Sequence, residues 1–231
     1  MLKLGIIVPC YNEEEALPET NRRLIEVINN LVRLGKITTD SMIFYVDDGS
    51  SDGTWQLIES LSIVNSLHIS GIKLSRNYGH QNAIVAGLFS AAGDALITID
   101  ADLQDDVNAI EAMIDKYLAG SEIVYGVRNN RESDSVFKRL TASIFYSVME
   151  ILGAEVVKNH ADFRLLSRNA INSLQEFREV SLFLRGIVPL IGLSSATVHY
   201  SRDRRLLGQS KYPLRKMLNF AVDGITSFSI V

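Results

Sequence analysis

Cysteine is almost absent from this chain: Cys10 is the one cysteine among 231 residues, beside a single tryptophan, Trp55, and four prolines. A lone cysteine excludes an internal disulfide and suits a reducing compartment. No apolar run reaches membrane-spanning length. Met1–Leu4 leads straight into an apolar stretch broken at Pro9, unlike a secretory leader. Internal repeats, low-complexity segments and an obvious linker are also missing, so the length predicts one α/β domain with a substantial core. Overall charge is small, at −4. General nucleic-acid binding is not expected, because such a domain is usually basic throughout.

The small net charge hides an asymmetry. Arg202, Arg204, Arg205, Lys211, Arg215 and Lys216 face only Asp203 within residues 202–216, a local +5 that leaves −9 for the rest. A basic patch on an acidic protein points to an anionic partner held at one place, either phosphates or a lipid surface. Beyond it, Leu214–Val231 reads as an amphipathic helix that grows more apolar and ends without a polar cap. The expectation is a juxtamembrane helix over residues 214–231 leading into a hydrophobic region, after a catalytic domain over residues 1–213.

Strand and helix patterns alternate through the first half. Apolar runs at Gly5–Val8, Met42–Val46, His68–Leu74, Ala95–Ile99 and Glu122–Tyr125 predict strands. Periodic segments at Glu14–Leu34, Thr54–Ile63, Gln81–Ala92 and Val107–Leu118 predict helices. This rhythm implies a mainly parallel sheet with helices on both faces. After Gly126 it changes: a charged loop at Arg128–Asp134, a helix at Ser135–Leu152, and a strand at Phe163–Leu166. Helices near Asn169–Glu176 and Leu182–Ile191 and an edge strand at Thr197–Ser201 follow. The stretch Leu182–Leu193 is read as a membrane-facing helix, with packing on its own core as the competing reading.

The strands of the first half end in polar clusters. The first runs into Pro9-Cys10-Tyr11-Asn12-Glu13, the second into Asp47-Asp48-Gly49-Ser50-Ser51-Asp52-Gly53-Thr54, and the fourth into Asp100-Ala101-Asp102-Leu103-Gln104-Asp105. A buried strand cannot hold several uncompensated charges, so these carboxylates belong at strand ends, where open α/β sheets bind ligands. Asp100 and Asp102 could share a hard cation while leaving positions for phosphate oxygens and water. Taken alone, Asp-Ala-Asp reads first as a turn and cap leading into the next helix. Three such clusters on one sheet edge favour a nucleotide site.

The segments Val-Pro-Cys-Tyr-Asn-Glu-Glu (8–14), Asp-Asp-Gly-Ser-Ser-Asp-Gly-Thr (47–54), Ser-Arg-Asn-Tyr-Gly-His-Gln (75–81) and Asp-Ala-Asp-Leu-Gln-Asp (100–105) resemble the signature of family-2 inverting glycosyltransferases. Within that family the chain resembles the polyprenyl-phosphate sugar transferases, a group of bacterial undecaprenyl-phosphate glucosyltransferases and dolichol-phosphate mannose synthases. Ala-Asp-Phe-Arg-Leu-Leu-Ser-Arg (161–168) and Leu-Gly-Gln-Ser-Lys-Tyr-Pro (207–213) fit the same subgroup. The resemblance implies a GT-A, Rossmann-like fold and transfer of one sugar from a nucleotide-diphosphate sugar to undecaprenyl or dolichyl phosphate. The expected location is the cytoplasmic face of the membrane, in cell-envelope glycan biosynthesis, with a homo-oligomer expected for the full-length form. UDP-glucose is the favoured donor, and GDP-mannose is the alternative.

Carried over by position, Pro9, Tyr11, Glu13 and Asp48 would contact base and ribose, and Arg76 and His80 would lie near the donor. Asp100, Ala101 and Asp102 would meet the donor diphosphate, with Asp100, Asp102 and Gln104 around Mg²⁺ or Mn²⁺. Arg128, Arg131, Arg202, Arg205 and Lys211 are candidates for the acceptor phosphate, since arginine grips phosphate bidentately. Asp162 matches the proposed catalytic carboxylate, and a salt bridge with Arg164 is its structural alternative. A processive polysaccharide synthase would carry Gln-x-x-Arg-Trp, which this chain lacks. A nucleotidyltransferase would show a Gly-rich basic loop where Tyr11-Asn12-Glu13 stands. A non-catalytic nucleotide-sugar-binding protein is the non-enzymatic alternative.

Overall fold

The computed structural model describes residues 1–129, 160–177 and 184–201. Arg131, Arg202, Arg205 and Lys211, the helices expected at Ser135–Leu152 and 214–231, and the boundary between 213 and 214 lie outside the described residues.

Seven strands form one sheet: β1 (Leu4–Cys10), β2 (Met42–Asp47), β3 (Ile69–Lys73), β4 (Ala95–Thr98), β5 (Ile123–Arg128), β6 (His160–Ser167) and β7 (Ser195–Tyr200). Their order is β3-β2-β1-β4-β6-β5-β7. The helices are α1 (Leu17–Arg33), α2 (Thr54–Val64), α3 (His80–Ser90), α4 (Ala109–Leu118), α5 (Arg168–Gln175) and α6 (Leu184–Leu190). β1 pairs in parallel with β2 and β4, and β2 with β3. β7 lies parallel to β5 as an edge strand. β6 runs antiparallel to both β4 and β5. The sheet is therefore mixed, with its reversed strand near the middle.

Each face of the sheet carries its own core. Leu17, Leu24 and Ile28 of α1, Ile58 of α2, and Ile110 and Met113 of α4 pack on one side with Ile6, Tyr45, Ile97 and Leu165. Ala83, Ile84 and Leu88 of α3, Ile171 and Leu174 of α5, and Leu184, Ile187 and Val188 of α6 pack on the other with Ile7, Val46, Leu96 and Leu166. Neighbouring strand residues thus alternate between faces, as a pleated strand requires. Leu184, Ile187 and Val188 of α6 are buried in the core, so over the described residues of Leu182–Leu193 the competing reading, packing on its own core, describes these side chains, while Leu190 is exposed. Pro189 falls within this short helix, next to its last residue.

Two glycines let elements approach more closely than a side chain allows. A Cβ on Gly87 would stand 2.3 Å from Ile7 Cγ2, so α3 lies against β1 with almost no gap. Gly126 sits where the β5–β6 register shifts, and a Cβ there would stand 2.8 Å from the Phe163 carbonyl oxygen. A glycine at such a bulge admits the neighbouring backbone. Among the described residues no helix is long and apolar enough to cross a membrane.

Candidate active site

Parallel pairing of β2, β1 and β4 brings their carboxyl ends to one edge, and hydrogen bonds join the loops that follow. Asn12 N–H donates to Ser50 Oγ at 2.9 Å, Ser51 N–H to Asn12 Oδ1 at 2.7 Å, and Glu13 N–H to Thr54 Oγ1 at 2.8 Å. Glu14 accepts from Gly53 N–H at 2.6 Å. Asn12 adopts a positive φ of 53°, a conformation asparagine tolerates. The convergence expected for the first two clusters is thus built from backbone and side-chain bonds between them.

Asp48 extends the connection to a third loop. Its two carboxylate oxygens accept from Tyr78 N–H at 2.7 Å and Gly79 N–H at 2.9 Å, immediately before α3. Burial pushes its carboxyl above the usual range, and these two bonds work against that rise. Gly49 makes the approach sterically possible: at φ 68°, its missing Cβ would lie 2.5 Å from the Arg76 carbonyl carbon. Asp48 therefore holds the loop that presents His80. Pro9, buried inside β1, and Ala101, whose carbonyl accepts from Thr20 Oγ1 at 2.7 Å, likewise support the site from beneath. Tyr11 and Glu13 are half-buried at its margin. Arg76 is exposed, its guanidinium 4.2 Å from the Tyr78 ring centroid.

The acidic cluster follows β4. Gln104 N–H donates to Asp102 Oδ1 at 3.1 Å, and Leu103 between them has φ 57° although its side chain is buried. A non-glycine residue held there costs on the order of 1–3 kcal/mol, a strain the surrounding packing must sustain. Asp105 is buried and accepts from Tyr200 Oη at 2.6 Å and from Arg128 Nη2 at 3.0 Å. The register that sets Arg128 beside Tyr200 on β5 and β7 brings these two side chains together. Arg128, expected at an acceptor phosphate, is thus already paired with a carboxylate behind the cluster.

β6 supplies the opposite wall. The β4–β6 register pairs Thr98 with Arg164, and Thr98 Oγ1 donates to the Asp162 carbonyl, so Asp162 lies beside the end of β4 from which Asp100 follows. Strand alternation puts Asp162 and Arg164 on the face covered by α3 and α6. His80 Nε2 lies 3.4 Å from Asp100 Oδ1 and 3.5 Å from Asp162 Oδ2. Asp162 Oδ1 accepts from Arg164 Nη2 at 2.8 Å and Arg185 Nε at 3.2 Å, and its Oδ2 from Arg185 Nη2 at 3.1 Å. The salt bridge with Arg164 is therefore real, and it coexists with a place in the site. Arg185 went unread because it sits in an apolar run; the helical periodicity that buries Leu184, Ile187 and Val188 was the available signal.

The electrostatics divide the site in two. Burial raises Asp100 to about 6, with Asp105, Asp162 and Asp102 adding to the rise and His80 opposing it. Burial also opposes charge on His80, yet Asp100 and Asp162 outweigh it and lift the imidazole to about 9. For Asp162, burial would raise the carboxyl, but Arg185, His80 and Arg164 reverse this and hold it well below the usual range. Asp100 and Asp102 thus form a region of excess negative charge, whereas Asp162 is surrounded by cations.

The donor set on the acidic side fits a hard divalent cation: two carboxylates and the Gln104 amide, all offering oxygen. The Asp100 carboxyl is raised chiefly by burial, with neighbouring carboxylates adding to the rise, and an added cation would oppose it. Among the described residues no three His, Cys, Asp or Glu side chains are grouped to enclose an ion. Phosphate oxygens and water would have to complete such a coordination sphere.

The chain belongs to glycosyl transferase family 2, whose model matches residues 5–175. An uncharacterized glycosyltransferase of Bacillus subtilis, YkoT, is 52% identical over 229 residues, covering 98% of this chain and 68% of that protein. A prophage bactoprenol glucosyl transferase homolog of Escherichia coli K12 is 36% identical, over 99% of this chain and 72% of its own length. Among solved structures, glucosyl-3-phosphoglycerate synthase of Mycobacterium tuberculosis, in complex with Mn²⁺, UDP and glucosyl-3-phosphoglycerate, superposes with a TM-score of 0.65. It is 16% identical and covers 98% of this chain and 80% of the other, a likeness of fold. This agrees with the α/β GT-A architecture expected from the sequence.

Proposed function

We propose that the protein transfers one sugar, glucose from UDP-glucose, to a polyprenyl phosphate at the cytoplasmic face of a membrane, inverting the anomeric centre. The observation that carries this reading is the meeting of the strand-end loops of β1, β2 and β4 with Asp162 of β6. An acidic side suited to a donor diphosphate there adjoins a cationic side suited to an acceptor phosphate. Relatives named bactoprenol glucosyl transferases, 36% identical over nearly the whole chain, support the choice of donor and acceptor. The amphipathic pattern of residues 214–231 supports a membrane-proximal end.

In this reading the loops of residues 11–14 and 48–54 hold the nucleotide, and His80 lies between the donor and acceptor regions. Asp100, Asp102 and Gln104 would hold Mg²⁺ or Mn²⁺, which would neutralise charge on the departing diphosphate. An acceptor phosphate oxygen forms a bond to the anomeric carbon while the bond from that carbon to the diphosphate breaks, its electron pair leaving with the nucleotide. The second pKa of a phosphate monoester is about 6, so the nucleophile is largely ionised at neutral pH. Little proton removal is then required of Asp162.

The test is transfer of labelled sugar by the full-length protein to undecaprenyl phosphate with Mg²⁺ or Mn²⁺, offering UDP-glucose and GDP-mannose in parallel. A lipid-extractable glucosyl product from UDP-glucose is expected. Product only from GDP-mannose would overturn the choice of sugar and base. Nucleotide binding without lipid product from either donor would favour a non-catalytic binding protein.

A further inference from the structure

Arg185 makes a contact that the fold alone does not require. Arg164 is 1% exposed and already supplies the buried partner for Asp162. Its Nη1 also donates to the Leu184 carbonyl at 3.2 Å, fixing the start of α6 to β6. The next residue, Arg185, then spans both oxygens of the same carboxylate. Two guanidinium groups thus share one aspartate, and they differ in access: the Arg185 side chain is 31% exposed.

Position adds to charge. Asp162 and Asp100 lie on either side of His80, whose Nε2 is within 3.5 Å of both carboxylates. Arg185 therefore flanks the acidic cluster from the β6 side, next to where an acceptor must approach a donor held at Asp100 and Asp102. A guanidinium presents its N–H donors in a fixed planar fork whose geometry matches phosphate. Both Asp162 oxygens are meanwhile occupied by guanidinium N–H groups, an arrangement that suits an anchor better than a proton acceptor.

We propose that Arg185 is a catalytic residue that binds the acceptor's phosphate, and that Asp162 serves this step by holding the Arg185 guanidinium in place. The proposal rests on the polyprenyl-phosphate reading above. It assigns Asp162 to orientation of a cation instead of general-base chemistry.

Initial rates of the full-length protein and its Arg185→Ala, Arg185→Gln and Arg185→Lys variants test it, with undecaprenyl phosphate and UDP-glucose varied separately. Arg185→Ala should raise KM for the lipid phosphate at least tenfold while KM for UDP-glucose stays within twofold. Arg185→Lys should recover part of the loss. Inorganic phosphate should compete with the lipid in the wild type and do so at least tenfold more weakly in Arg185→Ala. Equal shifts in both KM values, or an unchanged KM for the lipid phosphate, overturn the proposal in favour of a purely structural clamp. Where Arg185→Ala does not fold, Arg185→Gln removes the charge and decides by the same comparison. A wild type that transfers no sugar to polyprenyl phosphate overturns the functional reading itself; an active wild type with an indifferent variant overturns only the role of Arg185.

Discussion

His80 Nε2 lies within 3.5 Å of both Asp100 and Asp162, the one just past the end of β4 and the other on the neighbouring strand β6. Sixty-two positions apart in sequence, the two acids lie in unlike surroundings. Asp100 is crowded by other carboxylates, whereas Asp162 is hemmed in by arginines. In the proposed reading the first would help hold the metal and the second would position a cation toward the acceptor.

The acidic side should govern metal dependence. Asp102→Asn leaves a polar side chain of similar size but removes the charge from an oxygen proposed to hold the metal. Sugar transfer is expected to fall by about a hundredfold, the scale of losing one strong electrostatic contact to a transition state. The Mg²⁺ or Mn²⁺ concentration for half-maximal rate should rise as well, and chelation with EDTA should abolish wild-type transfer. A variant with the wild-type rate and metal requirement would remove Asp102 from the metal site.

Asp162 should matter to stability as well as turnover. Asp162→Ala leaves Arg164 buried without its carboxylate, a change expected to cost about 3–5 kcal/mol. The pH dependence follows from the lowered Asp162 carboxyl. A group depressed on folding stabilises fully above its unfolded pKa, about 3.9, and that contribution disappears as pH falls through the folded value. The Asp162 contribution to the stability gap between wild type and Asp162→Asn should therefore be lost below about pH 3.9, so that the gap is smaller in acid than at neutral pH. Urea denaturation across that range measures it; a gap that widens in acid would contradict the ion-pair account.

Two glycines with the same φ offer a controlled comparison. Gly49 and Gly35 both have φ 68°, but only Gly49 has backbone within reach of an added Cβ. Gly35→Ala should cost about 1 kcal/mol for the left-handed conformation alone. Gly49→Ala should cost clearly more and weaken UDP binding, because the loop of residues 76–79 must move and Asp48 then loses its hold on Tyr78 and Gly79. Thermal denaturation and calorimetric UDP titration separate the two, and equal effects would argue against the loop-to-loop approach.

Tyr200→Phe should isolate the support behind the acidic cluster. The hydroxyl is bonded to Asp105, so its removal leaves a buried carboxylate with one partner fewer and should cost about 1–3 kcal/mol. Arg128 keeps Asp105 paired, so the variant should fold. A loss confined to stability would make this contact purely structural, while a raised metal requirement would show that it also sets the position of the cluster.

The first half of the molecule was legible because local pattern and tertiary role agree there. Each β-α unit of residues 4–118 buries one apolar stripe, and its polar residues collect where the strand ends. Beyond Gly126 that agreement ends. β6 looks like another apolar strand, and nothing local in Phe163–Leu166 shows that it enters between β4 and β5 running backwards. Strand direction is decided by the whole chain, so the proximity of Asp162 to Asp100 emerges only from the register. Arg128 was assigned by residue type to a phosphate, whereas its immediate partner, Asp105, is set by the neighbouring strand β7. Arg185 was hidden for a related reason: hydrophobicity averaged over Leu182–Leu193 obscures the one face of α6 that is charged.

The burial of Arg164 beneath Asp162 makes these two positions a unit of inheritance. Losing either alone strands a charge in the interior, whereas replacing both by apolar residues of matching volume can leave a fold as stable as before. A relative in which positions 162 and 164 have become apolar together would therefore retain the sheet and the nucleotide loops without an anchor for Arg185. Such a chain would be a nucleotide-sugar binder on a transferase frame, recognisable from two letters of its sequence.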